Sequence, residues 1–307
     1  MTLDSAVPPL VALAAAPLMV GLTNRVKAVF AGRQGPPLVQ PYLDLARLLG
    51  KGAVYSRTTT AIFRVGPMIG LAALVTAALL VPFAGRPAPL AFEGDLILFA
   101  YLLGLARLFT VLAALDTGSA FEGMGASREL LFSALAEPAL LLSLVAVGHE
   151  AGAFSLSALH GPASGLSWGG SALVLTLAAI VLFLVFLAEN SRIPVDDPNT
   201  HLELTMIHEV MVLDHSGPDF AFIMYGASLK LWLLGALIVA VVLPAPTGWV
   251  LPDVGIALAA MAGVAGLLGL VESGMARLRM AIVPELLVGA AVLATLALMI
   301  CYGGPLR

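Results

Sequence analysis

The 307 residues are 60% hydrophobic and 11% charged, with a formal net charge of −4 and a mean hydropathy of +1.01. Such a composition excludes a soluble globular domain and points to a chain that crosses a membrane several times. A single cysteine, Cys301, excludes a disulfide framework and a cysteine-held metal cluster within the chain.

Apolar runs of about 18 residues or more are long enough to cross a hydrocarbon core of about 30 Å. Eight are predicted, at about 6–24, 65–83, 95–115, 129–148, 170–188, 220–243, 253–273 and 281–302. No stretch alternates like a barrel strand, and backbone groups in lipid must be satisfied internally. The fold class expected is therefore an all-α integral membrane protein, one multi-spanning domain over 1–307, with cytoplasmic loops at 31–62, 116–128 and 188–219. The start, M-T-L-D-S-A-V-P-P, lacks the basic region of a cleaved signal, so the first span is expected to be retained.

The first of these loops holds G-R-Q-G-P-P and then P-Y-L-D-L-A-R-L-L-G-K-G. Its leucines alternate with Asp44, Arg47 and Lys51, which suits a short amphipathic helix at the interface. Arg33 and Arg47 are its candidate docking residues, and an ordinary lipid anchor is the plain alternative. The second loop, D-T-G-S-A-F-E-G-M-G-A-S-R-E, adds Glu122 and Arg128 as docking candidates. Ser127 is predicted to cap a helix opening at Arg128. The glycines before it allow close approach of another backbone or form a plain turn. In the seventh span, Gly263, Gly266, Gly269 and Gly274 form a small-residue track suited to close helix packing.

Ionisable residues inside spans cost several kcal/mol unless paired or hydrated. Arg107, Glu137, Lys230, Glu272 and Glu285 fall within or near predicted spans. Arg107 and Glu137 are candidates for a proton path or an aqueous cavity. For Lys230 and Glu272, near span ends, snorkelling or a static ion pair is the simpler reading.

The run from Ala188 to Asp219 gathers Glu189, Asp196, Asp197, Glu203, Glu209, Asp214 and Asp219 with His201, His208 and His215, against one basic residue, Arg192. If the chain is helical after Pro198, Asp197, His201, Thr205 and His208 share a polar stripe, while Glu203 falls among Met206, Ile207 and Val210. A carboxylate in apolar surroundings is raised towards neutrality and can exchange protons. A solvated acidic docking face is the rival reading. The spacing His208-Glu209 with His215 is not that of a zinc helix, so no metal site is expected, Asp197, His201 and His208 being the minor alternative set. No nucleic-acid patch stands out.

Most lysines and arginines fall in alternate loops: Arg25, Lys27, Arg33, Arg47, Lys51, Arg57 and Arg64, then Arg128, Arg192, Arg277 and Arg279. The opposite connections and the end carry Arg86 and Arg307. The positive-inside rule then puts both termini outside and the acidic run in the cytoplasm.

The order A-E-N-S-R-I-P-V-D-D-P, an acidic run with E-L, then H-E and Ser-Gly before another span, resembles the family of complex I membrane subunits known in mitochondria as ND one. Together with D-T-G-S-A-F-E-G-M-G-A-S-R-E and A-L-A-E-P-A, it is closer to the membrane subunit of formate hydrogenlyase and of energy-converting nickel–iron hydrogenases. The resemblance covers essentially the whole chain. It implies an eight-helix, non-catalytic subunit of a proton- or sodium-pumping redox complex, in a bacterial or archaeal cytoplasmic (inner) membrane. Its implied partners are peripheral iron–sulfur and hydrogenase-like subunits and antiporter-like membrane subunits. Glu189, Arg192, Asp196, Asp197, Glu203 and Glu209 match the family's acidic coupling loop, which borders the quinone chamber in complex I. Two positions depart: Val195 replaces a phenylalanine and Asn199 an acidic residue. Quinone therefore stays an open alternative, as does a nickel–iron site in a partner, and the chain itself is expected to bind no redox cofactor. A stand-alone transporter would be expected to show inverted repeats, and none is visible.

Overall fold

A computed structural model describes residues 3–160, 168, 170–196, 207–243 and 248–303. It is all-helical: α1 Leu3–Phe30, α2 Gln40–Leu49, α3 Ala61–Ala78, α4 Asp95–Asp116, α5 Ala120–Ala151, α6 Ala172–Glu189, α7 His208–Met211, α8 Gly217–Val242, α9 Val250–Gly274 and α10 Val283–Gly303. Eight of these, all but α2 and α7, are long and apolar enough to cross a membrane. The eight expected spans are present in order, with shifted ends. α1 runs on to Phe30, α3 stops at Ala78, and α5 begins nine residues before the predicted position.

That early start corrects the reading of 116–128 as a loop. Residues 120–128 are already helical, the residue before the helix is Ser119, and the Ser127 hydroxyl donates within the helix to the Met124 carbonyl at 2.9 Å. The glycines there divide the two expected roles. Gly118, at φ +71°, makes the turn, whereas Gly125 lets α7 approach. A Cβ at Gly125 would lie 2.8 Å from the Ile207 carbonyl oxygen, closer than any side chain tolerates.

α8 is the central helix, with 72% of its most apolar window buried against 28% for α10. Prolines in the spans leave carbonyls without their helical partner, since proline has no N–H. Pro17 orphans the Leu13 carbonyl in α1, and the Tyr225 hydroxyl of α8 donates to it at 2.8 Å. Tyr42 of α2 donates to the neighbouring Ala14 carbonyl, so α2 lies against α1 without burying any residue fully. The predicted small-residue track on α9 is only partly used within the chain. Gly269 packs on Val26 and Thr23 of α1, while Gly263, Gly266 and Gly274 face open space.

The two ends of the bundle are fastened differently. At one end, Arg86 pairs with Asp4 at 2.8 Å, and Asp95 accepts from the Ser155 hydroxyl and the Leu156 N–H, both at 2.7 Å. At the other, Asp116 accepts from the Thr60 N–H at 2.6 Å, closing the first turn of α3. There the Val54 N–H donates to the Ser216 hydroxyl at 3.0 Å, and Phe63 stacks on His215 at 4.0 Å. The 31–60 segment is thus tied to the residues that lead into α8.

Candidate functional site

Four helices bring ionisable side chains to one point. Arg107 of α4, 6% exposed in its side chain, reaches both oxygens of Glu189 at the end of α6 at 2.5 Å. It also reaches Glu137 of α5 at 2.6 Å and stands 3.5 Å from Glu129, two turns earlier on the same helix. Lys230 of α8 lies 3.8 Å from Glu189. The planar guanidinium can satisfy several carboxylates at once, which is how so much charge stays buried among apolar helices. Its Nε makes no hydrogen bond among the described residues, so the Glu129 contact is the loose one. Glu137 has a different outlook. Its side chain is 43% exposed, and it precedes Pro138, which leaves the Ala134 carbonyl without its helical donor.

Arg107, Glu129, Glu189 and Lys230 line a cavity open at its mouth, and Glu137 lies outside its wall. Arg107, Glu129, Glu189, Arg192, His208 and Lys230 supply its polar wall, and Leu71, Leu74, Leu103, Phe222 and Ile223 its apolar one. His208, just outside the spans, has its pKa pushed down to about 4 by burial and by the positive Lys230 and Arg192. It is a neutral imidazole at the cavity wall near neutral pH.

A second set adjoins the first at Arg192. Glu272 of α9, whose side chain is fully buried, lies 2.7 Å from Lys27 of α1 and 3.3 Å from Arg192. Asp196 accepts from the Ile207 and His208 N–H groups at 3.0 and 3.3 Å and pairs with Arg277 at 3.1 Å. Its one carboxylate therefore ties Asp196 to the start of α7 and to the α9–α10 connection. The Leu278 N–H bonds the Pro194 carbonyl at 2.9 Å beside it.

Of the residues singled out from sequence, Glu189, Arg192, Asp196, Glu137 and Arg107 are brought together here. Asp197 and Glu203 lie outside the described residues, as does the helix expected after Pro198 up to His208. Glu209 is exposed on α7. Among the docking candidates, Arg33 and Arg47 are exposed, and Arg47 stands 3.4 Å from Asp44. Arg128 is half-buried on α5. Glu122 is buried, 1% exposed, hydrogen-bonded to Thr117 beside Asp214, so it braces the α4–α5 turn within the chain and presents no surface to a partner there. Lys230 and Glu272 make the ion pairs that the simpler reading foresaw. Glu285 is exposed. Glu129, Lys27 and Arg277 were missed. Glu129 directly follows Arg128, which the sequence reading placed at a helix start. Only the earlier opening of α5 carries it into the bundle.

A family model described as NADH dehydrogenase matches residues 5–303. The chain is 33% identical over 288 residues to formate hydrogenlyase subunit 4 of Escherichia coli (strain K12), covering 90% of this chain and 91% of that protein. It is also 33% identical over 228 residues to hydrogenase-4 component C of the same organism, covering 74% and 71%. Among solved structures, the membrane-bound sulfane sulfur reductase, an archaeal respiratory membrane complex, contains a chain that superposes with a TM-score of 0.83 at 22% identity. The match covers 97% of this chain and 98% of that one, and shows that the two share a fold. With a family model spanning nearly its whole length, the chain belongs to the NADH dehydrogenase family.

Proposed function

We propose that this protein is a non-catalytic membrane subunit of an energy-converting redox complex, of the kind to which formate hydrogenlyase subunit 4 and hydrogenase-4 component C belong. The observation that carries the reading is the Arg107 cluster. Three carboxylates, Glu129, Glu137 and Glu189, face two cations, Arg107 and Lys230, and all of these but Glu137 line a cavity between spans. An uncompensated negative charge in a low-dielectric site is relieved by taking up a proton. The loosely held Glu129 is the carboxylate best placed to take it, and the outward-facing Glu137 is the one best placed to pass charge to a neighbouring membrane subunit. Redox work in a docked peripheral arm would act on the cavity through the 188–219 segment, and so change where that proton resides. The ion moved is a proton in this reading, with sodium as the variant.

Glu129→Gln keeps size and hydrogen bonding while removing the titration. In the assembled complex it should lower ion translocation by about a hundredfold or more, the penalty typical of a lost acid–base group. Unchanged translocation with intact assembly would remove Glu129 from the path.

The reading also places both termini outside and the basic 31–62 segment in the cytoplasm, facing peripheral iron–sulfur and hydrogenase-like subunits. Complementary charge guides such docking. Reversing the exposed Arg33 and Arg47 to Glu should release the peripheral subunits while the membrane subunits stay together. If the whole complex still co-purifies at ordinary salt, the segment is a lipid anchor.

The apolar wall of the cavity favours a second reading, a chamber for a quinone head group. Leu71, Leu74, Leu103, Phe222 and Ile223 offer an aliphatic and aromatic surface opposite the charges. Saturable, Phe222-dependent quenching by a soluble quinone would support it over the first.

A further inference from the structure

About 30 Å of helix separates Glu129 from the far end of α5. There, three side chains able to ligate a metal converge, none of them part of the ion-pair sets above. His149 and Glu150 occupy the last turn of α5 and Cys301 the last turn of α10, and one donor atom from each lies within 4.8 Å of the others. All three are half-buried, so the cluster is held by packing yet reachable from the bundle end that carries the N-terminus.

Each donor is oriented by the chain around it. The His149 ring lies against Tyr302, centroids 4.6 Å apart. Glu150 accepts a hydrogen bond from Ser171, at the start of α6, at 2.5 Å. The Cys301 thiol faces the Ala146 carbonyl at 3.6 Å and hydrogen-bonds Glu150. Behind it, Ala146, Val174 and Ala297 form a small apolar core that joins α5, α6 and α10. The ligands thus come from two helices locked together, a third helix orients one of them, and one coordination position is left over.

We propose that His149, Glu150 and Cys301 form a binding site for zinc, or a divalent ion of like softness, that clamps α5 to α10. Imidazole, thiolate and carboxylate are the ligand types zinc takes, in a tetrahedron completed by water, whereas calcium and magnesium prefer oxygen alone. Usual zinc–ligand lengths put neighbouring donors about 3.5 Å apart, so the set needs to contract by roughly an ångström, within the reach of side-chain rotation. With a neutral imidazole, one thiolate and one carboxylate, the loaded site carries no net charge, which suits the edge of a low-dielectric slab. Binding displaces the Cys301 proton to solvent, so affinity rises with pH.

The test uses the full-length chain purified in detergent, its affinity tag removed, reduced and stripped of metal with a chelator. Cobalt, titrated as a spectroscopic stand-in for zinc, should bind once per chain with a thiolate-to-metal charge-transfer band that zinc abolishes. Cys301→Ser should lose that band. His149→Ala should weaken binding by more than about tenfold, since even outer-shell changes cost that much. Glu150→Gln, which can still accept the Ser171 hydrogen bond, should weaken binding while the chain stays folded, so loss of binding is not confused with loss of structure. Zinc should raise the melting temperature of the wild type and not of Cys301→Ser. Absence of a thiolate band, or cobalt uptake equal in wild type and all three variants, overturns the site and assigns the ion to surface carboxylates.

Discussion

The two sets of buried charges differ in sign and in setting. Around Arg107, three carboxylates face two cations beside a cavity; around Glu272 and Asp196, two carboxylates face three cations, Lys27, Arg192 and Arg277. The first set has one more carboxylate than cations and space beside it, the features on which its proposed proton binding rests. In the second, every carboxylate is covered, and Asp196 is further committed to two backbone N–H groups. Its role is to hold segments in place. In the proposed function the difference separates a proton-binding site from a brace, although both sets occupy the same end of the bundle and meet at Arg192.

The largest expected break in that comparison is Arg107→Leu. It strands Glu129, Glu137 and Glu189 with only Lys230 nearby. Removing one partner of a buried ionic set costs about 3–5 kcal/mol. Measured by thermal unfolding in detergent, that loss should partly recover on lowering the pH, because the stranded carboxylates can then protonate. A pH-independent loss would mean that Arg107 acts by packing alone.

Asp196→Ala strikes the brace instead. It leaves two backbone donors and Arg277 without their acceptor, at about 1–3 kcal/mol for the unsatisfied groups. Limited proteolysis should show earlier cleavage within 197–206, with no recovery at low pH. Unaltered cleavage would show that the segment is held by other contacts.

The effect confined to acid pH is that of His208. Its folded pKa of about 4 lies below the ordinary value of 6.5, so the unfolded chain binds the extra proton first as pH falls. The neutral imidazole therefore favours the folded state fully above pH 6.5, and this contribution is lost between about 6.5 and 4. His208→Asn should flatten the fall in melting temperature across that window. An identical pH profile would take His208 out of the acid response.

How far the sequence could be read follows from which properties are local. The length of an apolar run is local, so the eight spans and the amphipathic α2 were legible before any packing was known. The cost of a charge in lipid is local too, and it marked Arg107 and Glu137 as residues needing partners. The partners themselves were not legible. Arg107 meets Glu189 from 82 positions away, and Glu272 meets Lys27 across α1 and α9, contacts set by helix rotation and register. Glu129 shows the limit most clearly. Glycines and two serines in residues 118–127 carry a turn signature, yet tertiary packing begins the helix at Ala120 because Gly125 admits α7 and buried Glu122 braces the turn. Local composition is enough to mark eight membrane spans with ionisable residues that must be compensated. Which of them share a cavity and which form a brace depends on packing, because a buried charge takes its partner from space and not from its neighbours in the chain.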